Sequence, residues 1–384
     1  VINELNIGII DADLIGRKNH RFPNLACMKL SSYHRSVGDK TTLLHNYESI
    51  KDYNRVYISK VFTDTEVPES AISLPHVSYG GTGFYYDKAP PLSDQIEHSS
   101  PDYSLYDGWV NTKLSEDYNQ KQFDYYQNHS IGFTTRGCIR QCKFCVNKNY
   151  KQCLRHSNVN EFVDSSRKYI CLLDDNILSC KDWRSIFDSL NATGKRYQFK
   201  QGMDERLLTP EKCKVLFQEA NWYGEYIFAF DNIKDKVLIE NKLNLIREHL
   251  PYKKKPKFYT FCGFNHDDPY DYSQDFWKQD IADLFERINI LINYNCLPYI
   301  MRYKDYMLSP YYGTYINLSR WCNQPSIFKS MNYKEFCKKH PESSSCYQYY
   351  LKFKNECPEI ADKYYGTRWL NLDKCDIETI EKHA

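Results

Sequence analysis

The sequence lacks a dominant charge. Its 51 Lys and Arg stand against 49 Asp and Glu, so the molecule as a whole carries no polyanion-binding signal, and net charge gives nucleic acid no support as a partner. It also lacks a long apolar run. Stretches such as YIFAF and INILI fall far short of the roughly 18–20 residues a membrane span needs, which leads to the expectation of a soluble protein with no membrane partner. The beginning, VINELNIGIIDADL, lacks the basic segment of a secretory signal, with Glu4 in its place and acidic residues directly after the apolar run; it reads as a first strand. A disulfide framework is missing too. The 15 cysteines are odd in number and mostly sit in apolar or helical surroundings, such as Cys171 in YICLLDD and Cys262 in FYTFCGF, which excludes a small secreted scaffold and points to a reducing, cytoplasmic setting. The 34 tyrosines read as compositional bias rather than as base-stacking surfaces.

What is present is an α/β pattern in two parts. LNIGIIDADL reads as a buried strand, FPNLACMKLSSYHRSVGDK as a helix with Gly38 as its stop, RVYISKVF as a second strand and HVSYGG as a third. Residues 1–95 are therefore expected to form a small, incomplete, doubly wound (Rossmann-like) domain. Residues 96–128, within and after a stretch rich in Pro, Ser and Asp, are expected to be a linker that wraps. From residue 129 to 310, strand-like SIGFTTRG, YICLLDDN, YQFKQG, YIFAFD, KFYTFCGF and LPYIMRY recur at roughly 30–40 residues, the length of a strand–helix unit. Helical candidates lie between them, among them TPEKCKVLFQEANW, with Thr209 as N-cap and Pro210 in the first turn. Six units suggest a partial parallel barrel with its chemistry at the C-terminal ends of the strands. Residues 311–384 read as a helical extension.

One stretch carries chemistry. GFTTRGCIRQCKFCVN places Cys138, Cys142 and Cys145 in a C-x3-C-x2-C pattern after the first strand of that repeat. Thiolates are soft ligands for iron–sulfur clusters or zinc. A structural zinc site wants four ligands, and the nearest further candidates, Cys153 and His156, have no familiar zinc spacing. Three cysteines on a cubane cluster leave one iron open for a substrate or cofactor.

TTRGCIRQCKFC, with Phe144 before the last cysteine, resembles the cluster loop of radical S-adenosylmethionine (radical SAM) enzymes. The resemblance implies a [4Fe-4S] cluster held by Cys138, Cys142 and Cys145, with SAM on the fourth iron, reductive cleavage to a 5'-deoxyadenosyl radical, and a partial (β/α)6 barrel. It also implies a reductant such as flavodoxin or ferredoxin and a substrate that the sequence does not identify. Asp174, Asp175 and Asn176 close the second strand where the family places polar groups for SAM or substrate, although its commoner Gly-Gly-Glu is replaced here, with an ordinary Asp/Asn turn as the competing account. Gln201, Asp204 and Arg206 follow the third strand: a carboxylate there suits ribose hydroxyls or an ammonium, and the guanidinium suits a carboxylate, with an internal Asp–Arg pair as the competing account. Asp231 closes the fourth strand and faces either the cofactor or the next helix, while Asn265, His266 and Arg302 are weaker substrate candidates.

NIGIIDADL, PNLACMKLSSYHRSVGD and YGGTGF resemble the cobalamin-binding-type domain that precedes the barrel in one branch of the family. The Asp-x-His-x-x-Gly motif is absent, so cobalamin is not expected, and a remnant domain that shapes the substrate site is favoured. Cys322, Cys337, Cys346, Cys357 and Cys375 include no compact C-x2-C pair and read as buried thiols rather than an auxiliary cluster. No appended β-barrel of the RNA-modifying kind is visible. The expectation is a radical SAM enzyme, with a cobalamin-dependent methyltransferase and a metal-stabilised binding protein as the alternatives.

Overall fold

A computed structural model describes residues 4–147 and 150–369. The chain is mixed α/β with parallel sheets and divides into two compact units, Val1–Lys200 and Gln201–Ala384.

The first unit opens with a four-stranded parallel sheet, β1 (Asn6–Asp11), β2 (Lys40–Leu43), β3 (Arg55–Ser59) and β4 (Val77–Gly80), in the order β2-β1-β3-β4. Its central strand NIGIID is apolar on both faces because both are covered. Ile7 and Ile9 join one core with Cys27, Met28 and Leu30, whereas Ile10 joins the other with Val56 and Ile58. The helix Leu25–Ser36 follows the expected segment, capped by the Asn24 side chain, which accepts from Ala26 N and Cys27 N; Gly38 follows at φ +93°. Sequence patterning passed over β2, because KTTL has one apolar residue and sits at the sheet edge, with only Leu43 buried. The segment expected to be a linker completes the domain's core: Leu105, Tyr106, Val110, Phe123 and Tyr126 pack against Ile7, Ile9 and Leu14. Burial of these aromatics, about 1.5–3 kcal/mol each on transfer scales, makes the wrapping segment structural.

A second parallel sheet in this unit contains β5 (His129–Gly132), β8 (Tyr169–Leu172) and β9 (Arg196–Phe199), ordered β5-β8-β9. Between β5 and β8 the chain forms a short antiparallel ladder, β6 (Thr135–Arg136) against β7 (Leu154–Arg155), whose loop holds the three cysteines.

The second unit carries β10 (Ile227–Ala229), β11 (Lys257–Cys262) and β12 (Leu297–Arg302) as a parallel sheet in that order, extended by a parallel bridge between Met203 and Phe228. Thr209 accepts from Lys212 N with Pro210 in the first turn, as its sequence signature predicts. All six predicted strands of the repeat are present and parallel, three in each unit. The carboxy-terminal helices, from Tyr312–Cys322 to Pro358–Tyr364, bury Cys322, Cys337, Cys346 and Cys357 among Trp321, Tyr333, Tyr350 and Tyr365. Cys375 lies outside the described residues. Among the described residues no helix is long and apolar enough to cross a membrane.

Candidate functional site

Cys138, Cys142 and Cys145 are half-buried, and no described cysteine forms a disulfide. The loop that bears them is built for its shape. Gly137 has φ +95°, and a Cβ there would lie 2.2 Å from the Gln152 carbonyl oxygen and 2.5 Å from Tyr150 Cβ, so glycine is required both for the backbone and for the space. Gln141 also has a positive φ, 49°, and its side-chain amide compensates by donating to the Cys138 and Tyr150 carbonyl oxygens at 3.1 and 2.8 Å. The Cys145 amide closes a turn on the Cys142 carbonyl at 3.0 Å. N–H groups are aimed at sulfur: Arg140 N to Cys138 Sγ, Asn147 N to Cys145 Sγ, and Asn176 Nδ2 to Cys138 Sγ, each at 3.4 Å. Among the described residues no three or more His, Cys, Asp and Glu side chains form a group that could hold a metal ion.

The Asp174-Asp175-Asn176 turn is engaged with this loop residue by residue. Asp174 is 2% exposed and accepts from Thr134 N, Thr134 Oγ1, Thr135 N and Thr135 Oγ1 at 2.9, 2.5, 2.8 and 2.7 Å. Burial pushes its carboxyl up to about 6 even though all four donors favour the charged form. Asp175 accepts from Gly137 N at 2.7 Å, and burial raises its carboxyl as well. Asn176, 3% exposed, reaches Cys138. Phe144 lies in the same loop, and its carbonyl accepts from Tyr86 OH at 3.2 Å.

A second clamp was not read from the sequence. Glu97 Oε1 receives Lys29 Nζ at 3.0 Å, Arg136 Nη2 at 3.2 Å and His156 Nε2 at 3.0 Å. Burial alone would raise this carboxyl, but His156, Lys29 and Arg136 together hold it well below the usual carboxylate range. It thereby joins the helix Leu25–Ser36 to both ends of the cysteine hairpin.

In the second unit, Gln201 is exposed. Asp204 and Arg206 form the internal pair: Arg206 Nε donates to Asp204 Oδ1 at 2.7 Å and Nη1 to Asp235 Oδ2 at 2.7 Å. Asp231 accepts from Phe261 N at 3.1 Å, and burial pushes its carboxyl up to about 6. Asn265 organises its own loop, accepting from Asp267 N and Asp268 N and donating to the Asp271 carbonyl, while Arg302 donates to Tyr306 OH. His266 lies beside Phe264, edge to face, and burial lowers its imidazole. Two further buried groups went unpredicted. Glu205 accepts from Ala229 N, its other oxygen is without a hydrogen-bond partner, and burial pushes the carboxyl up to about 8. Arg287, 2% exposed, ties the ends of β10 and β11 together by donating to the Phe230, Asp231 and Phe261 carbonyls at 2.9, 2.9 and 2.8 Å.

No protein-family model matches the sequence, and no curated protein matches it. Among solved structures, the chain is similar to the cobalamin-dependent S-adenosylmethionine radical enzyme OxsB with aqua-cobalamin and S-adenosylmethionine bound, at 12% identity and a TM-score of 0.46. It is similar also to the apo, selenomethionine-labelled form of that enzyme, at 13% identity and a TM-score of 0.44. The alignments cover 96% of this chain but 65% and 64% of those chains, less than two thirds of their length.

Proposed function

We propose that the protein is a radical SAM enzyme in which Cys138, Cys142 and Cys145 hold a [4Fe-4S] cluster. The reading rests on one observation above all: three cysteines of the required spacing share one loop, free of disulfides, with N–H donors on two of the sulfurs. Among the described residues the three cysteines are not gathered into a ready-made metal-binding group, so the fit is one of chemistry and spacing: a sulfur in its charged or metal-bound form is an acceptor and gains from each N–H. When bound, the cluster and SAM would supply one-electron cleavage to methionine and a 5'-deoxyadenosyl radical.

The chain's own residues do the rest. Gly137 and Gln141 set the loop's path, Asp174 and Asp175 fix its first strand, and Glu97 braces it through Arg136 and His156. Phe144, Asp174, Asp175 and Asn176 are proposed to line or support the SAM site; the sequence reading of Gln201, Asp204, Arg206 and Asp231 as cofactor contacts stands as a separate proposal for the second unit. Asp174 and Asp175 would act by shaping the loop, since their oxygens already accept from it. An external one-electron donor such as flavodoxin or ferredoxin, a partial (β/α)6 barrel and a cytoplasmic setting belong to the same proposal. The substrate is left open.

The test is anaerobic reconstitution with iron and sulfide, then reduction with SAM and assay for 5'-deoxyadenosine and methionine. An intact cluster that yields neither product refutes the reading, as does iron absorption that survives the triple Cys138→Ala, Cys142→Ala, Cys145→Ala variant.

A second reading, a cobalamin-dependent methyltransferase, draws on the four-stranded parallel sheet preceding the cysteine loop. Asp11, at the end of its first strand, accepts from Tyr106 OH at 2.9 Å. We prefer the reading without cobalamin because the sequence lacks the Asp-x-His-x-x-Gly motif; stoichiometric cobalamin uptake by purified protein would reverse that preference.

A further inference from the structure

The contacts between the turn at 174–176 and the cysteine loop run in register. Asp174 takes Thr134 and Thr135, Asp175 takes Gly137, and Asn176 takes Cys138. The first two partners are backbone and hydroxyl groups. The third is a proposed cluster ligand, reached by a side-chain amide that is 3% exposed. The Asn176 backbone separately anchors the following turn, its carbonyl accepting from Ser179 N at 3.0 Å and Ser179 Oγ at 2.8 Å.

We infer that Asn176 is a positioning residue that sets the reduction potential of the cluster through its hydrogen bond to Cys138 Sγ. The inference rests on the proposed cluster. A hydrogen bond to a ligating sulfur withdraws electron density from it and stabilises the more negative, reduced state, so its presence raises the potential and its loss lowers it. Burial amplifies the effect, because little water stands ready to replace the missing donor. The backbone donors Arg140 N and Asn147 N act in the same direction but are fixed by the loop, whereas the Asn176 donor belongs to a side chain and can be exchanged by mutation.

The experiment compares wild type, Asn176→Leu and Asn176→Asp after anaerobic reconstitution with ferrous iron and sulfide. Iron and sulfide content, thermal unfolding and an EPR-monitored redox titration without SAM are measured. The couple read is uptake of one electron from a dithionite-poised mediator, with no bond made or broken. Asn176→Leu should keep the cluster and the unfolding temperature, while at the wild-type midpoint its reduced-to-oxidised ratio should fall about tenfold, about 59 mV for a one-electron couple. Asn176→Asp, which sets an acceptor and a negative charge against the sulfur, should fall further.

Midpoints of loaded variants that overlay the wild type would overturn the inference while leaving the cluster reading intact. A wild-type protein that binds no cluster would defeat the proposed function itself. Should the Leu variant fail to load, the Asp variant carries the same test, and an unshifted or raised midpoint there refutes the assignment.

Discussion

Replacing Gly137 by alanine tests whether the cysteine loop is as tightly specified as its geometry indicates. Two costs are separable, because Gly38 supplies a control with the same backbone problem and none of the crowding. Gly38 has φ +93° with nothing within 4 Å of an added Cβ, whereas Gly137 has φ +95° with the Gln152 oxygen at 2.2 Å and Tyr150 Cβ at 2.5 Å. Gly38→Ala should therefore cost only the left-handed penalty, about 1–2 kcal/mol. Gly137→Ala carries that penalty and must also push the loop segment at Tyr150–Gln152 away by about 1 Å, an overpacking cost of about 1–3 kcal/mol. Its near neighbour is backbone, so no side-chain rotation relieves the overlap. The assay is urea unfolding of both variants with matched m-values, alongside iron incorporation at the cysteines. Gly137→Ala should lose about 1–3 kcal/mol more than Gly38→Ala and load iron poorly; equal losses with unimpaired loading would refute the account of the loop.

Asp174→Ala leaves two buried backbone N–H groups and two hydroxyls without their acceptor and should cost about 3–5 kcal/mol in urea unfolding, with Asp174→Asn losing less because one acceptor oxygen survives. Glu97→Gln removes the charge shared by Lys29, Arg136 and His156, so amide exchange by mass spectrometry should quicken through residues 134–136 and 154–156, while an unchanged exchange pattern would remove Glu97 from the brace. Asp11 and Glu205 are held by burial at about 7 and about 8, well above their unfolded values, so the folded state keeps their protons longer than the unfolded chain does. Each then contributes stability that is complete below about pH 4 and is lost as pH rises through those values, at about 1.4 kcal/mol per pH unit within its window. Asp11→Asn with Glu205→Gln should flatten the fall in unfolding midpoint between pH 5 and pH 8, and an unaltered slope would contradict the assignment.

The strands of the repeat were legible because a parallel sheet covered on both faces demands continuous apolar runs, which YICLL and YIFAF supply, while KFYTFC shows the period-2 alternation of a strand with one face fully buried. The cysteine triad was legible because its chemistry is local: the ligand spacing lies within one loop. β2 was not, since an edge strand with a single buried residue leaves no periodicity to detect. Nor were the braces, whose partners meet only in the folded chain. Thr134 and Asp174 are separated by 40 positions, and Lys29 and Glu97 by 68. Arg287 shows the same limit from another side, because a charged residue on a helix reads as a solvated face until the carbonyls of two strand ends are found around it.

The turn at 174–176 makes the distinction sharpest. An Asp-Asp-Asn run after a strand has one appearance in sequence whether it caps a helix, binds a ligand's ammonium or grips a neighbouring loop, because all three tasks need oxygen acceptors at a strand end. Only the donors tell them apart. Here the donors facing Asp174 and Asp175 are the threonines and the glycine of the cysteine loop, and the Asn176 side-chain amide donates to sulfur. A turn that met a ligand first would leave its carboxylates open towards it; here both oxygens of Asp174 and one of Asp175 are spent on the chain. Any metal chemistry at Cys138 would therefore be conditioned by the second strand's turn through geometry and through one hydrogen bond, without that turn needing to touch a substrate.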